Sequence, residues 1–299
     1  MELKELLRGT GVAIITPFKA NGDVDFDALA NLIEYIIGNG VEFIVSLGTT
    51  GETPVLSEQE KKDLILFTGR VIAKRVPLVV GVGGNNTKAV IEDLEQLPLD
   101  EAVAVLSASP YYNKPSQEGL FQHYRALAQN SPKPVILYNV PSRTGRNLNA
   151  ETVLKLAAET DKIAGIKEAG GDFSQCIKIL KNCPPGFFVV SGDDALAMPQ
   201  IACGMTGVIS VAANAFPKAM SDMIRASLLS NFKKAKEIND SLSDAYDLMF
   251  EENNPAGVKA FLAEMNIIKN VLRLPVTPVS SGLQHRIKTF MASSKLTTY

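Results

Sequence analysis

Apolar residues along this chain fall into two alternating rhythms. Short runs at residues 11–16, 42–47, 77–82, 102–107, 134–138, 187–190 and 208–211 are apolar at consecutive positions, as strands covered on both faces are. Between them, apolar residues recur at spacings of three and four. Phe26, Leu29, Leu32, Ile33 and Ile36 mark a helix over 26–40, stopped by Asn39-Gly40. Ser57 with Glu60 three residues on forms a capping box that starts the next helix. Further helices are predicted from Thr87, over 118–129, from Asn149, after Asp193-Asp194 and from Pro217, where proline suits a first turn.

One more strand lies at residues 161–169, Asp-Lys-Ile-Ala-Gly-Ile-Lys-Glu-Ala. Alternation puts Ile163, Gly165 and Lys167 on one face and Ala164 and Ile166 on the other. With it the chain holds eight strand–loop–helix units of about 30 residues, the pattern of parallel strands joined by crossover helices. Eight such units close most naturally into a (β/α)8 TIM barrel. An open, doubly wound sheet is the rival, but Gly81-Val82-Gly83-Gly84 is too short for a dinucleotide fingerprint.

After Leu229 the strand rhythm stops. Helices are predicted over 232–251, 254–271 and 283–294, broken at Asn253-Asn254-Pro255 and around Pro275-Val276-Thr277-Pro278. The division expected is a barrel over 1–230 and a C-terminal helical appendage over 231–299. Leu242, Tyr246, Leu248, Met249, Val258 and Phe261 in the appendage need cover, from internal packing first or from a partner subunit.

Composition removes several classes of function. Thirty Lys and Arg against 32 Asp and Glu give a net charge of −2, with no basic stripe to follow nucleic acid. The N-terminal residues lack the apolar core of a secretory signal, and no apolar run reaches the roughly 20 residues that cross a bilayer. Cys176, Cys183 and Cys203 are odd in number and irregularly spaced, as reduced thiols of a cytoplasmic protein are. Two distant histidines, His123 and His285, make a zinc centre or a serine-histidine hydrolase poorly supported.

Barrel chemistry collects where strands end. Strand two ends in Thr49-Thr50, strand four in Tyr111-Tyr112, strand five in Tyr138 and then Arg143, and strand six in Lys167. Gly165 is expected to leave room beside Lys167. An amine among apolar walls loses hydration, which disfavours its charged form and frees it as a nucleophile toward a carbonyl carbon. An imine must also lose and gain protons at carbon, and a phenol serves where no histidine is near. Arg143 suits a carboxylate gripped by two parallel hydrogen bonds, and the Thr49-Thr50 turn suits another. Each group also has a plain reading: Lys167 as a solvated strand cap, Tyr138 as core, Tyr111-Tyr112 as a packing pair, Arg143 as a loop cation, Thr49-Thr50 as a turn cap. Asp193-Asp194 read as caps of the seventh helix. Glu52 reads as bonding amides of its own turn, and Glu168 as structural.

The ordered motifs Gly48-Thr49-Thr50-Gly51-Glu52, Pro110-Tyr111-Tyr112-Asn113-Lys114-Pro115, Tyr138-Asn139-Val140-Pro141-Ser142-Arg143-Thr144-Gly145 and Gly165-Ile166-Lys167-Glu168-Ala169 resemble those of dihydrodipicolinate synthases. These are members of the N-acetylneuraminate lyase family of pyruvate-dependent class I aldolases. The resemblance implies that Lys167 forms an imine with pyruvate. It implies that Tyr138 relays protons, with Thr49 linking it to Tyr112, and that Tyr111 reaches across a tight dimer. It makes Thr50 the holder of the pyruvate carboxylate, Ile209 a backbone wall of that pocket, and Arg143 the grip on L-aspartate 4-semialdehyde. No metal or organic cofactor is implied, and the expected assembly is a dimer-of-dimers homotetramer. The pathway implied is diaminopimelate and lysine synthesis.

Many relatives bind lysine as an inhibitor at the dimer interface. Here the matching positions are Pro54, Glu58, Lys61 and Ala89, with Asn85 and Tyr111 kept, so weak or absent lysine inhibition is expected. Alternatives are another pyruvate aldolase, of the N-acetylneuraminate lyase or keto-sugar-acid type, and an inactive barrel acting as a binding protein.

Overall fold

Eight short parallel strands close into one ring in sequence order: β1 (Gly9–Ala13), β2 (Phe43–Ser46), β3 (Leu78–Gly81), β4 (Ala102–Ala108), β5 (Val135–Asn139), β6 (Ile163–Glu168), β7 (Phe188–Ser191) and β8 (Gly207–Ser210). A computed structural model supplies this description for residues 2–294 and 296; Met1, Lys295 and residues 297–299, at the two ends of the predicted regions, lie outside it. The ring closes where β8 pairs with β1, Gly207 lying opposite Gly9. A Cβ on Gly207 would stand 2.0 Å from the Gly9 carbonyl oxygen, so the closure needs glycine.

The helices are α1 (Leu3–Leu6), α2 (Phe26–Gly38), α3 (Glu58–Ile72), α4 (Thr87–Gln96), α5 (Gln117–Asn130), α6 (Pro141–Thr144), α7 (Ala150–Glu159), α8 (Phe173–Asn182), α9 (Ala197–Ala202), α10 (Pro217–Leu228), α11 (Phe232–Phe250), α12 (Ala256–Glu264) and α13 (Ser281–Ser293). Helix α3 starts on the expected capping box, with the Ser57 hydroxyl accepting from the Glu60 amide and Glu60 accepting from the Ser57 amide. The predicted helix over 254–271 is real only as α12. Its first turn follows Pro255, and Asn266 adopts a positive φ that ends the helical run.

Two apolar layers follow from strand alternation. Phe43, Val45, Val79, Ile136, Phe188, Val190 and Ile209 fill the interior of the ring. Ile44, Val80, Leu137, Ile166, Val189 and Val208 face the helices. Alternation fails at one predicted place. The register between β5 and β6 shifts at Val135/Ile136, so Ile163 joins the outer layer and Ala164 packs toward the interior. From Gly165 onward the expected faces hold.

Leu242, Tyr246, Leu248, Met249, Val258 and Phe261 are all buried, so internal packing covers them. Phe261 meets Phe216, which precedes α10, and Phe290 of α13 edge-on. The helices after Leu228 are thereby fixed to the rest of the chain.

Candidate active site

Lys167 occupies the end of β6, opposite Tyr138 of β5 and Val190 of β7. Only 5% of it is exposed, and among the described residues no carboxylate pairs with it. Its Nζ stands 4.4 Å from the centre of the Tyr138 ring. Room for the side chain comes from Gly192, not from Gly165 as expected. A Cβ on Gly192 would lie 2.9 Å from Lys167 Cε, whereas one on Gly165 would strike the ring and carbonyl of Phe188. Gly165 thus serves packing between β6 and β7.

The next residue is turned away from the amine. Glu168 is buried and accepts hydrogen bonds from Asn139 Nδ2 (2.9 and 3.0 Å), Gln175 Nε2 (3.0 Å) and the Gly170 amide (2.7 Å). Burial raises its carboxyl above the usual range, and those bonds pull the other way. It is structural, as expected.

The Thr49-Thr50 turn is a single 3-10 turn, Thr49–Gly51, entered through Leu47 at φ 56°. Gly81 makes this path possible: a Cβ there would sit 2.2 Å from the Leu47 carbonyl oxygen. Thr16 Oγ1 donates to the Gly51 carbonyl at 2.7 Å and ties the turn to the segment after β1. Thr50 is buried, and its hydroxyl accepts from Asn254 Nδ2 at 3.1 Å.

Glu52 departs from its expected role. It does not bond amides of its own turn. One carboxylate oxygen takes the ammonium of Lys259, and the other accepts from the Arg273 amide at 3.1 Å. Asp193 and Asp194 also divide. Asp193 accepts from the Ala195 and Leu196 amides ahead of α9, while Asp194 reaches the Val211 and Ala212 amides after β8. Burial raises the Asp194 carboxyl, and its bonds to Ser210 and those amides oppose the rise.

Lys167, Tyr138, Thr49, Thr50 and Arg143 line one cavity of about 640 Å³ at the mouth of the ring. Arg143 sits on α6, a one-turn helix closed by Gly145 at φ 72°, in a stretch expected to be loop. It is exposed, and its Nη2 donates to the Asn254 carbonyl at 3.2 Å. Three expected members do not line this cavity. Tyr111 is 45% exposed and Tyr112 88% exposed, so one phenol of the predicted three stands at the mouth. Tyr112 holds φ at 71°, part of a kink that ends strand alternation after β4. Ile209 belongs to the apolar interior, in the cluster that holds Tyr138.

Sequence reading missed the wall opposite. Tyr246, Asp247 and Phe250 of α11, with Glu251 just beyond it and Asn254, line the cavity from the region expected to be an appendage, and Asp193 joins them. Asn254 is 6% exposed and its Oδ1 has no hydrogen-bond partner among the described residues. The helix break at Asn253-Asn254-Pro255 was the available signal. The Tyr246 hydroxyl bonds Met220 Sδ at 3.2 Å, and burial pushes it well above the phenol range, which fits a wall rather than a proton relay.

The cavity therefore joins a buried amine without a counter-ion, a phenol beside it, a hydroxyl-bearing turn and a guanidinium at the rim. Such a set can form an imine with a ketone, move protons at the adjacent carbon and hold carboxylates.

Comparison with known proteins agrees. The model of the Dihydrodipicolinate synthetase family matches residues 6–293. A 4-hydroxy-tetrahydrodipicolinate synthase of Azobacteroides pseudotrichonymphae is 48% identical over 95% of this chain and 96% of its own. The crystal structure of dihydrodipicolinate synthase from Aquifex aeolicus superposes with a TM-score of 0.93 at 38% identity, covering 96% of this chain and 97% of its own. A structure described as a monomeric dihydrodipicolinate synthase variant gives 0.95 at 36% identity, covering 99% of both chains. By match length and by identity alike, the chain belongs to the dihydrodipicolinate synthetase family.

Proposed function

We propose that this chain is a 4-hydroxy-tetrahydrodipicolinate synthase, which condenses pyruvate with L-aspartate 4-semialdehyde in diaminopimelate and lysine synthesis. The observation that carries the reading is Lys167, buried without a carboxylate partner, facing Tyr138 and opening on a cavity with Arg143 at its rim.

Lys167 Nζ attacks the keto carbon of pyruvate, and the carbinolamine loses water to an imine. The Thr50 turn receives the pyruvate carboxylate. Tyr138, whose ring centre lies 4.4 Å from the amine, carries protons to and from it, the methyl proton leaving to give an enamine. Thr49 links Tyr138 to a second phenol. The enamine carbon then bonds to the aldehyde carbon of the second substrate, whose carboxylate Arg143 holds. The substrate amino group attacks the imine carbon, closes the ring and releases Lys167. No step calls for a metal or organic cofactor.

Of the Tyr111-Tyr112 pair, Tyr112, rather than the Tyr111 that the resemblance sends across the dimer, fits this scheme as the residue donated to a partner. Its exposure and its absence from its own cavity support donation across a tight dimer, within a dimer-of-dimers homotetramer. The free thiols of Cys176, Cys183 and Cys203 support a reducing, cytoplasmic setting. Borohydride reduction in the presence of pyruvate, followed by peptide mass mapping, tests the reading. A reduced adduct on Lys167 is the expected result, and no adduct, or one on another side chain, refutes it.

A further inference from the structure

The turn that carries Thr49 and Thr50 is gripped from the far end of the chain. Glu52, the residue that closes it, holds φ 55° and ψ 33°, a strained conformation for a residue with a side chain. Such a conformation persists only where the surroundings over-determine it. Here the surroundings come from the C-terminal region. Lys259 of α12 is fully buried and gives its ammonium to Glu52 and to the Val271 carbonyl at 3.0 Å. The Arg273 amide takes the other Glu52 oxygen. The Arg273 guanidinium bonds the Gly22 and Val55 carbonyls and pairs with Glu60. The Phe18 ring lies 4.2 Å from Lys259 Nζ and 4.4 Å from the Arg273 guanidinium carbon. Asn254, five positions before Lys259, adds its bond to the Thr50 hydroxyl.

A buried ion pair is a poor device for stability, because apolar side chains of the same volume do as well or better. What it does supply is a fixed place for a charged group. Glu52 and Lys259 are 207 residues apart, and nothing in the closure of the ring itself requires them to meet.

We infer that Lys259 and Arg273 are positioning residues for the keto-acid subsite, holding Glu52 and through it the Thr49-Thr50 turn in its place facing Lys167. The inference rests on the reading that this turn receives the keto-acid carboxylate. The C-terminal helices are then part of the binding apparatus.

The test is steady-state kinetics of the full-length double variant Glu52→Gln/Lys259→Met, which removes both charges at similar volume. The KM for pyruvate rises by about fivefold or more, kcat falls as Thr49 on the same turn shifts, and the KM for the aldehyde stays within about twofold. A cooperatively folding variant whose pyruvate KM rises less, or whose two KM values rise together, overturns the inference. If the double variant does not unfold cooperatively on heating, Arg273→Met decides: a rise of about threefold or more in pyruvate KM supports the clamp, and a smaller one overturns it. Borohydride trapping of pyruvate on the unmodified protein is run alongside. Failure there removes the functional reading itself, whereas trapping at Lys167 with an unmoved KM in the variants removes only the clamp.

Discussion

Lys167 and Tyr138 are neighbours across the β5–β6 ladder, with Nζ 4.4 Å from the ring centre. The amine and the phenol are therefore placed by backbone pairing rather than by loops. Removing the phenolic oxygen alone leaves the ring, the packing and the amine in place. Tyr138→Phe is expected still to trap pyruvate with borohydride while kcat falls by about 10²-fold or more, as loss of a positioned proton carrier does. Lys167→Ala is expected to abolish trapping. A Tyr138→Phe enzyme with unreduced turnover would assign proton transfer elsewhere.

Arg143 reaches the cavity from a one-turn helix and keeps one bond, to the Asn254 carbonyl. The rest of its guanidinium is available to a carboxylate. Arg143→Ala is expected to raise the KM for the aldehyde substrate by about tenfold or more, with pyruvate trapping unchanged. Lysine at this position restores little, since an ammonium lacks the planar fork. Equal loss for both substrates would show that Arg143 acts on the turn rather than on the second carboxylate.

His123 is a stability group, far in role from the chemistry. It is 4% exposed, its Nδ1 bonds the Thr87 hydroxyl at 2.9 Å, and its Nε2 has no partner among the described residues. Burial pushes its imidazole down to about 4. Between about pH 6.5 and 4 the unfolded chain takes up a proton that the folded chain refuses, so this contribution is lost as pH falls through that window. The loss from this group is on the order of 2 kcal/mol at about pH 4.5. Chemical denaturation of His123→Gln, compared with the unmodified protein at neutral and acid pH, is expected to show a shallower acid decline.

Lysine is expected to inhibit weakly or not at all. Lys61 Nζ sits 2.9 Å from Glu58 Oε1, so the carboxylate at that position already holds an ammonium. A free lysine would have to displace it and tolerate its charge nearby. Titration of activity with lysine checks this, and half-inhibition below millimolar would contradict it.

The ring was legible because consecutive apolar residues and glycine-rich strand ends are local signals. These signals reach all eight strands, with ends displaced by at most three residues. Lys167, Tyr138, Thr49, Thr50 and Arg143 were legible because barrel chemistry gathers where strands end. What escaped depends on contacts distant in sequence. Glu52 meets Lys259 across 207 residues, and no local pattern records that. The role of Gly192 depends on which side chain passes over it, and the shift at Val135/Ile136 on how β5 and β6 settle together. Tyr112 was assigned to the mouth by its distance from β4, but the reversed backbone at its own position carries it outside.

The α11 wall has an evolutionary consequence. Asp247 and Phe250 of α11, with Glu251 just beyond it, line the cavity from outside the ring, while the Lys167 amine belongs to β6. Part of the cavity wall and the amine beneath it are thus inherited on separate parts of the gene. A lineage can exchange side chains on one helical face and reshape the cavity without disturbing the lysine beneath.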